Sequence, residues 1–553
     1  MSVTQGAGSS YSYTLENTLN YKFSLNSNHF DALAGQSIEH SGFGESLTTT
    51  NNGYLYTDFE HAYISNTSGT STATKITGLP MAESSLASFF GRVNYDYKET
   101  YLATVVMRAD GSSNFGSGHR WGYFPSVSAG WVVSNESFIE SSKSWLDFLK
   151  LRVSWGENGN CNILPFQYNS TVAFDNFSAY SFGNSKTTQT PGGYPSILPN
   201  PNVKWETSIQ TDLGFDARLF NSRLSIALDY YNKATNDWLV VAPQLAIFGT
   251  GAPFINGGDV VNKGYEVAVG WNDNVGKDFT YGMTVNASFN KNEVTRIANA
   301  EGIIHGALNV LSQGTSEMYR AQVGYPIGYF YGYKTSGVFQ NAADIAAWKA
   351  AGNGILQANV QPGDLKFTDL NHDNVIDDKD KTNIGNPNPA TTLGLTFNVG
   401  YKGFDLTVTM HGAFGQQIAK SYRKFADSQY DNFTTDAFNY WHGEGTSNKL
   451  PRLTSGSNTN FQNISDIYIE NGDYLKASNL TLGYDFKKLF PKMVLKQARL
   501  YFSAQNLFTI TKYSGMDPEI GSNAGTTDTW SSGIDIGQYP SPRTYLIGVN
   551  LKF

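Results

Sequence analysis

Cysteine is almost absent: Cys161 is the only one in 553 residues. No internal disulfide can form, and no cysteine-based zinc site is available. Charge is scarce too, with Asp, Glu, Lys and Arg making up 16% and a net charge of −8. No basic stripe with interleaved aromatics is present, so nucleic acid is excluded as a partner. Nor does any run approach the ~18 apolar residues that a membrane-spanning helix requires. The mean hydropathy of −0.34 fits that. Spanning strands stay open, because residues facing a wet lumen dilute the hydropathy. Residues 1–15 lack both a basic n-region and an apolar h-region. A secreted chain should carry these at full length, so the sequence is expected to be a fragment. No linker or shift in composition divides it, although its length would ordinarily suggest about three or four domains.

What the chain has in quantity is Gly (55), Tyr (33) and Phe (35), the mixture of tight turns and apolar outer wall that a barrel uses. The clearest pattern lies between Phe89 and Trp155. Phe89, Val93, Tyr95 and Tyr97 share one face, while Arg92, Asn94 and Asp96 take the other. After Lys98 and Glu99 alone, Tyr101, Ala103, Val105 and Met107 share a face, opposite Thr104 and Arg108. This period of two predicts a β-hairpin. Similar alternation recurs at 209–219, 224–230, 265–271, 279–289, 393–399, 404–411, 480–486 and 500–504, and in the final Tyr545, Ile547, Val549, Leu551, Phe553. Runs of ten or more residues exceed a usual soluble strand and match the ~9–11 that cross a bilayer at a tilt. A half-buried soluble sheet would show the same two faces, so the connections must decide.

Turns of two to seven residues, with a longer Glu136 to Asp147 segment suited to a helical turn, alternate with long loops. The loops run from Ser41 to Ser85, Asn158 to Asn202, Asn236 to Asp259, Ile297 to Pro389, Gly415 to Asp473 and Thr509 to Pro540. Such loops are uncommon in compact soluble domains, whereas outer-membrane barrels pair short periplasmic turns with long external loops. The expected fold is all-β: an antiparallel transmembrane β-barrel spanning 1–553. Its extracellular insertion covers 297–389, and Gly324 to Gln340 falls inside that loop. About fifteen wall strands result, with the first at Ser10 to Leu25; bacterial single-chain barrels have even numbers, so an odd number is missing.

Six segments resemble the SusC/RagA-like TonB-linked outer-membrane transporters. They are RADGSSNFGSGHRWGYFPSVSAGWVVSNESF (Arg108 to Phe138), LKLRVSWGENGN (Leu149 to Asn160), NKGYE (Asn262 to Glu266), GYPIGYFYGYKTSGVFQ (Gly324 to Gln340), GDLKFTDLNHDNVIDDKDKTNIGNPNP (Gly363 to Pro389) and NLFTITKYSGMDPEI (Asn506 to Ile520). The resemblance implies a barrel of about 22 strands closed by an amino-terminal plug, which seven further strands would complete. It also implies import of an oligosaccharide or peptide through the outer membrane of a Bacteroidetes-like bacterium. A SusD-like lipoprotein would act as partner, and TonB would supply energy through a plug not seen in this sequence. No enzyme activity is expected. The alternatives are a surface glycan-binding β-protein without transport and an outer-membrane hydrolase.

One stretch carries explicit site chemistry. DLNHDNVIDDKD places oxygen donors at positions 1, 3, 5, 9 and 12 of a twelve-residue loop, here Asp369, Asn371, Asp373, Asp377 and Asp380. The Val375 carbonyl stands at position 7, a set that suits structural calcium. Asn374 occupies the position where such loops use glycine, and asparagine tolerates the left-handed backbone. Trp238, Phe248, Trp348, Trp441 and Trp530 could stack on sugars, but such residues more often pack loops on one another or sit in the interfacial girdle. His442 and Glu444 have neither a metal-ligand spacing nor a nucleophile elbow beside them.

Overall fold

The computed structural model describes all residues except 71–73, 81–82, 181–189, 242–248, 311–314, 422–434, 455–458 and 522–529. Fifteen long strands form the main path of the sheet, each hydrogen-bonded to its neighbours in wall order. They are β1 (Ser2–Leu25), β2 (Asn28–Asn52), β3 (Ser84–Tyr97), β4 (Tyr101–Ser112) and β5 (Trp121–Val132). Next come β6 (Leu146–Asn160), β7 (Glu206–Leu219), β8 (Leu224–Asn236), β9 (Gly258–Val275) and β10 (Phe279–Ile297). The last are β11 (Thr391–Tyr401), β12 (Phe404–Phe414), β13 (Tyr474–Asp485), β14 (Gln497–Thr511) and β15 (Thr544–Lys552). The count equals the sequence expectation, and β1 and β15 are the ends of the path.

Contacts divide the chain into two units. The first comprises Met1–Gly130, Ser154–Gln210 and Thr235–Gly257. Here β3 and β4 pair in the register that the alternation implies, with Val93 opposite Val105, Tyr95 opposite Ala103 and Tyr97 opposite Tyr101. Lys98 and Glu99 both have positive φ, 54° and 51°, the backbone a two-residue hairpin turn uses to follow the strand twist. Phe89, Val93, Val105, Met107 and Tyr123 are all strongly exposed. They form no core. The buried cluster of this unit, Phe115, Phe124, Ile163, Val203, Trp205 and Leu239, joins loop residues and strand ends.

Two strands are longer than expected. β1 and β2 have 24 and 25 residues and pair from Leu25 with Asn28 out to Ser2 with Asn52. The loop assigned from Ser41 therefore begins as strand, and the first strand starts before Ser10. The outer stretch is rich in Ser, Thr and Gly and is held by ladder hydrogen bonds, so it lacks the apolar-polar contrast on which periodicity depends. A register shift between Tyr11 and Tyr13 marks the bulge. Beside it, Gly44, paired with Ser10, sits at φ 151°, where a Cβ would lie 1.9 Å from the Ser9 carbonyl oxygen; only glycine fits.

The second unit comprises Trp131–Val153, Thr211–Ala234 and Gly258–Phe553. It holds β8 to β15 and the parts of β6 and β7 that join them. Tyr265 pairs with Phe289, Val269 with Val285 and Trp271 with Met283, and the same face continues through Val285 to Leu395 and Met410. The Glu136 to Asp147 connection contains a 3-10 turn at Ser137–Ser142, and another at Val133–Asn135 precedes it. The long connections are structured as well. Short strands at Tyr319–Gln322, Tyr329–Tyr333, Thr335–Val338, Leu365–Phe367 and Lys381–Gly385 lie off the wall path, with a helix at Ala342–Ala350. Met318, Phe330, Val338, Leu365, Phe461 and Ile464, at most 1% exposed, belong to one core that gathers three connections. Each such side chain removed from water contributes roughly 1.5–3 kcal/mol. The apolar core of this unit lies in its loops, while the wall's apolar columns remain uncovered.

Candidate functional site

The hydrophilic wall face carries paired charges. Arg152, between exposed Leu151 and Val153 on β6, reaches Asp216 Oδ2 at 2.8 Å on β7 and Asp229 Oδ1 at 2.9 Å on β8. On β14, Arg499 donates to Asp405 Oδ1 on β12 at 2.8 Å, spanning β13 over Gly483, where a Cβ would meet Arg499 Nε at 2.5 Å. Alternation thus places every one of these charges away from the apolar columns. A charge facing lipid at mid-depth would cost about 2–4 kcal/mol.

A denser cluster lies where the β14–β15 connection folds back onto this face. His411 on β12 and Lys476 on β13 are cross-strand partners, and Tyr474 shares the Lys476 face two residues earlier. All three converge on Glu519. His411 Nε2 lies 2.5 Å from Glu519 Oε1, Tyr474 donates to the same oxygen at 3.3 Å, and Lys476 donates to Oε2. Lys476 is 4% exposed and also faces Asp517 at 3.7 Å. Burial alone would raise the Glu519 carboxyl; the hydrogen bonds from His411 and Lys476 outweigh it and hold the group below its ordinary value. Beside the cluster runs a groove of about 490 Å³ over β8 to β13, lined by Asp229, Glu266, Asn286, Ser288, Thr392, His411 and Tyr474.

The twelve-residue acidic loop is closed by its two ends. Asp369 accepts from the N–H groups of His372 and Asn374 at 2.6 and 2.7 Å. Asp380, fully buried, accepts from Leu370 and Asp377 at 2.8 and 2.9 Å. Asn371 and Asp373 bond each other at 2.9 Å, and Asp377 accepts from the Lys379 N–H. The Val375 N–H, then the Asn371 amide, hold the Asp373 carboxyl below its usual value. Asn374 has φ 66°, the left-handed backbone expected at that position. Val375 is exposed and Ile376 enters the loop core. Among the described residues, no group of three or more His, Cys, Asp or Glu side chains is placed to hold a metal ion. The donor chemistry still suits an oxygen-seeking cation, since a carboxylate oxygen keeps a lone pair after accepting one N–H.

The loop tryptophans pack loops. Trp348 Nε1 donates to Gly354 O at 3.1 Å, Trp441 Nε1 to Gln340 Oε1 at 3.3 Å, and Trp530 meets Tyr319 edge-on. Trp238 accepts from the Gly257 N–H through its carbonyl, and Phe248 lies outside the described residues. His442 contacts the Tyr440 carbonyl oxygen and Glu444 accepts from Asn341; the two are tied to separate partners. Sequence reasoning missed the Glu519 cluster. Its available signal was a His and a Lys at inward-facing positions near the loop ends of β12 and β13.

Exposed apolar columns, a hydrophilic opposite face and long structured loops define an outer-membrane β-barrel. The family model described as TonB dependent receptor-like, beta-barrel matches residues 2–507, and the chain belongs to that family. It is 32% identical over 546 residues to TonB-dependent receptor P3 of Formosa agariphila, covering 97% of this chain and 52% of the relative. It is 30% identical over 558 residues to TonB-dependent receptor SusC of Bacteroides thetaiotaomicron, covering 98% and 50%. The chain therefore spans about half the length of the curated relatives it matches. The RagAB peptide transporter shares the fold, with a TM-score of 0.80 at 24% identity, covering all of this chain and 56% of that one. The protein is an outer-membrane protein.

Proposed function

We propose that this chain is the barrel part of a TonB-dependent importer that takes up an oligosaccharide or peptide. A SusD-like lipoprotein would present the substrate at the external loops, and TonB would act through a plug. The observation carrying this reading is the division of the wall: apolar columns exposed on one face, and on the other the paired charges of Arg152, Asp216 and Asp229 and an open groove. A hydrophilic inner wall passes polar solute without covalent chemistry, and the loop core gives a partner a rigid platform. The calcium reading of Asp369, Asn371, Asp373, Val375, Asp377 and Asp380 belongs to the same proposal, with the cation fixing the platform's edge. Uptake of labelled oligosaccharides and peptides by cells carrying the whole gene tests it. Uptake should vanish when either this gene or tonB is deleted; uptake that persists without tonB would overturn the reading.

A further inference from the structure

We propose that His411, Tyr474 and Lys476 form a carboxylate-binding site on the inner wall, that Glu519 occupies it as an internal stand-in, and that a carboxylate-bearing substrate displaces Glu519. The inference rests on the proposed transit along this face and names the substrate class. Three donors from two adjacent strands meet one carboxylate. His411 Nε2 and the Tyr474 hydroxyl address Oε1, and Lys476 Nζ addresses Oε2. Charge-assisted hydrogen bonds to both oxygens are among the stronger contacts a carboxylate can make. The donors belong to the wall, whereas the acceptor is carried by a loop eight residues beyond the end of β14. Lys476, only 4% exposed, retains Asp517 at 3.7 Å once Glu519 leaves, so displacement strands no buried charge.

The groove gives a ligand its way in. His411 and Tyr474 both line it while holding Glu519, so an occupant reaches the same two donors. Asp229 and Glu266 line the far side. Glu266, Ser288, Thr392, Ala413 and Tyr474 are successive cross-strand partners. Strand spacings of ~4.8 Å therefore put about 19 Å between Glu266 and Tyr474 and at least about 14 Å between Glu266 and His411, too far for strong repulsion across water. The loop is tethered elsewhere. Tyr513 donates to Asp535 at 2.5 Å, and Ser514 donates to Glu470 through its hydroxyl at 2.9 Å. These ties, with the Ser541 N–H donating to Asp517 at 3.1 Å, hold the loop's root when Glu519 leaves.

An internal occupant lowers apparent affinity by the fraction of time the site is blocked. In detergent, Glu519→Gln should bind trigalacturonate about tenfold more tightly than the unaltered protein, with binding of its trimethyl ester unchanged. A tripeptide with a free carboxyl terminus and its amide form the second pair of probes. Gain confined to the sugar acid or to the peptide acid identifies the source of the carboxylate. Adding His411→Ala to Glu519→Gln should cancel the gain, and Glu140→Gln, which removes an exposed charge elsewhere, should not reproduce it. Equal affinities of Glu519→Gln and the unaltered protein for acid and ester, with the thermal midpoint retained, would overturn the assignment. If Glu519→Gln proves unstable, Glu519→Asp, which shortens the reach, must show the same acid-selective gain or the proposal fails. Because binding is read at equilibrium, this outcome is independent of whether uptake needs TonB.

Discussion

Val105→Arg separates a lipid-facing wall from a wet one. Val105 is 54% exposed, on β4 directly opposite Val93, itself 45% exposed, and lies about halfway along the crossing that begins after the Lys98–Glu99 turn. If acyl chains cover that column, an arginine there costs about 2–4 kcal/mol. If water covers it, a surface substitution stays within about 0.5 kcal/mol. The neighbouring Thr104 faces the other way and donates to Asn94 at 3.0 Å. Thr104→Arg forfeits that one hydrogen bond, about 1 kcal/mol, and leaves a charge in hydrophilic surroundings. Reversible unfolding in guanidinium from lipid vesicles should therefore rank Val105→Arg well below Thr104→Arg. Equal effects, or the opposite rank, would refute the orientation of the wall.

Other consequences are equally open to measurement. Asp380→Ala removes the acceptor of the Leu370 and Asp377 N–H groups, a loss of about 0.5–1.5 kcal/mol for each hydrogen bond, and protease should then cut within residues 369–380, where the unaltered loop resists. Calcium titrated into the metal-free protein should release heat and lose that signal in the Asp369→Ala, Asp373→Ala double variant; absence of uptake in the unaltered protein removes calcium from the account. His305 sits between Glu317, at 3.0 Å from Nδ1, and Glu301, at 3.2 Å from Nε2. Burial lowers its basicity, but the two carboxylates more than reverse this, so its folded pKa is raised above 6.5. A raised pKa gives stabilisation fully present below the unfolded value and lost as pH rises through the folded one. The thermal advantage over His305→Gln should therefore be largest at pH 6 and disappear at higher pH; an advantage that grows with pH would contradict the pairing.

Wall architecture was legible because lipid and water impose opposite demands on successive side chains. The β3–β4 register could be paired by hand from Phe89, Val93, Val105 and Met107. Where that contrast stops, periodicity carries no signal: the Ser-, Thr- and Gly-rich ends of β1 and β2 hold ladder hydrogen bonds without an oily face, so the sequence beyond Ser41 resembles a loop although it is strand. The spacing marks 369–380 as a calcium-type loop, a reading that the calcium titration tests, and Asn374 takes the left-handed backbone expected there. The Glu519 cluster was not recognisable, because its partners lie 108 and 43 residues away and no local period links a loop carboxylate to two strands. Trp348, Trp441 and Trp530 took their places in loop packing, as aromatic side chains with one polar edge often do.

The most direct test is a spin-label scan along β10 in lipid vesicles, with Cys161 replaced by serine. Labels at Tyr281, Met283, Val285 and Phe289 should collide with dissolved oxygen, and labels at Gly282, Thr284, Asn286 and Ser288 with a water-soluble nickel chelate, in strict alternation. Uniform accessibility along the strand, or nickel contact at the first set, would contradict a wall whose apolar columns face lipid.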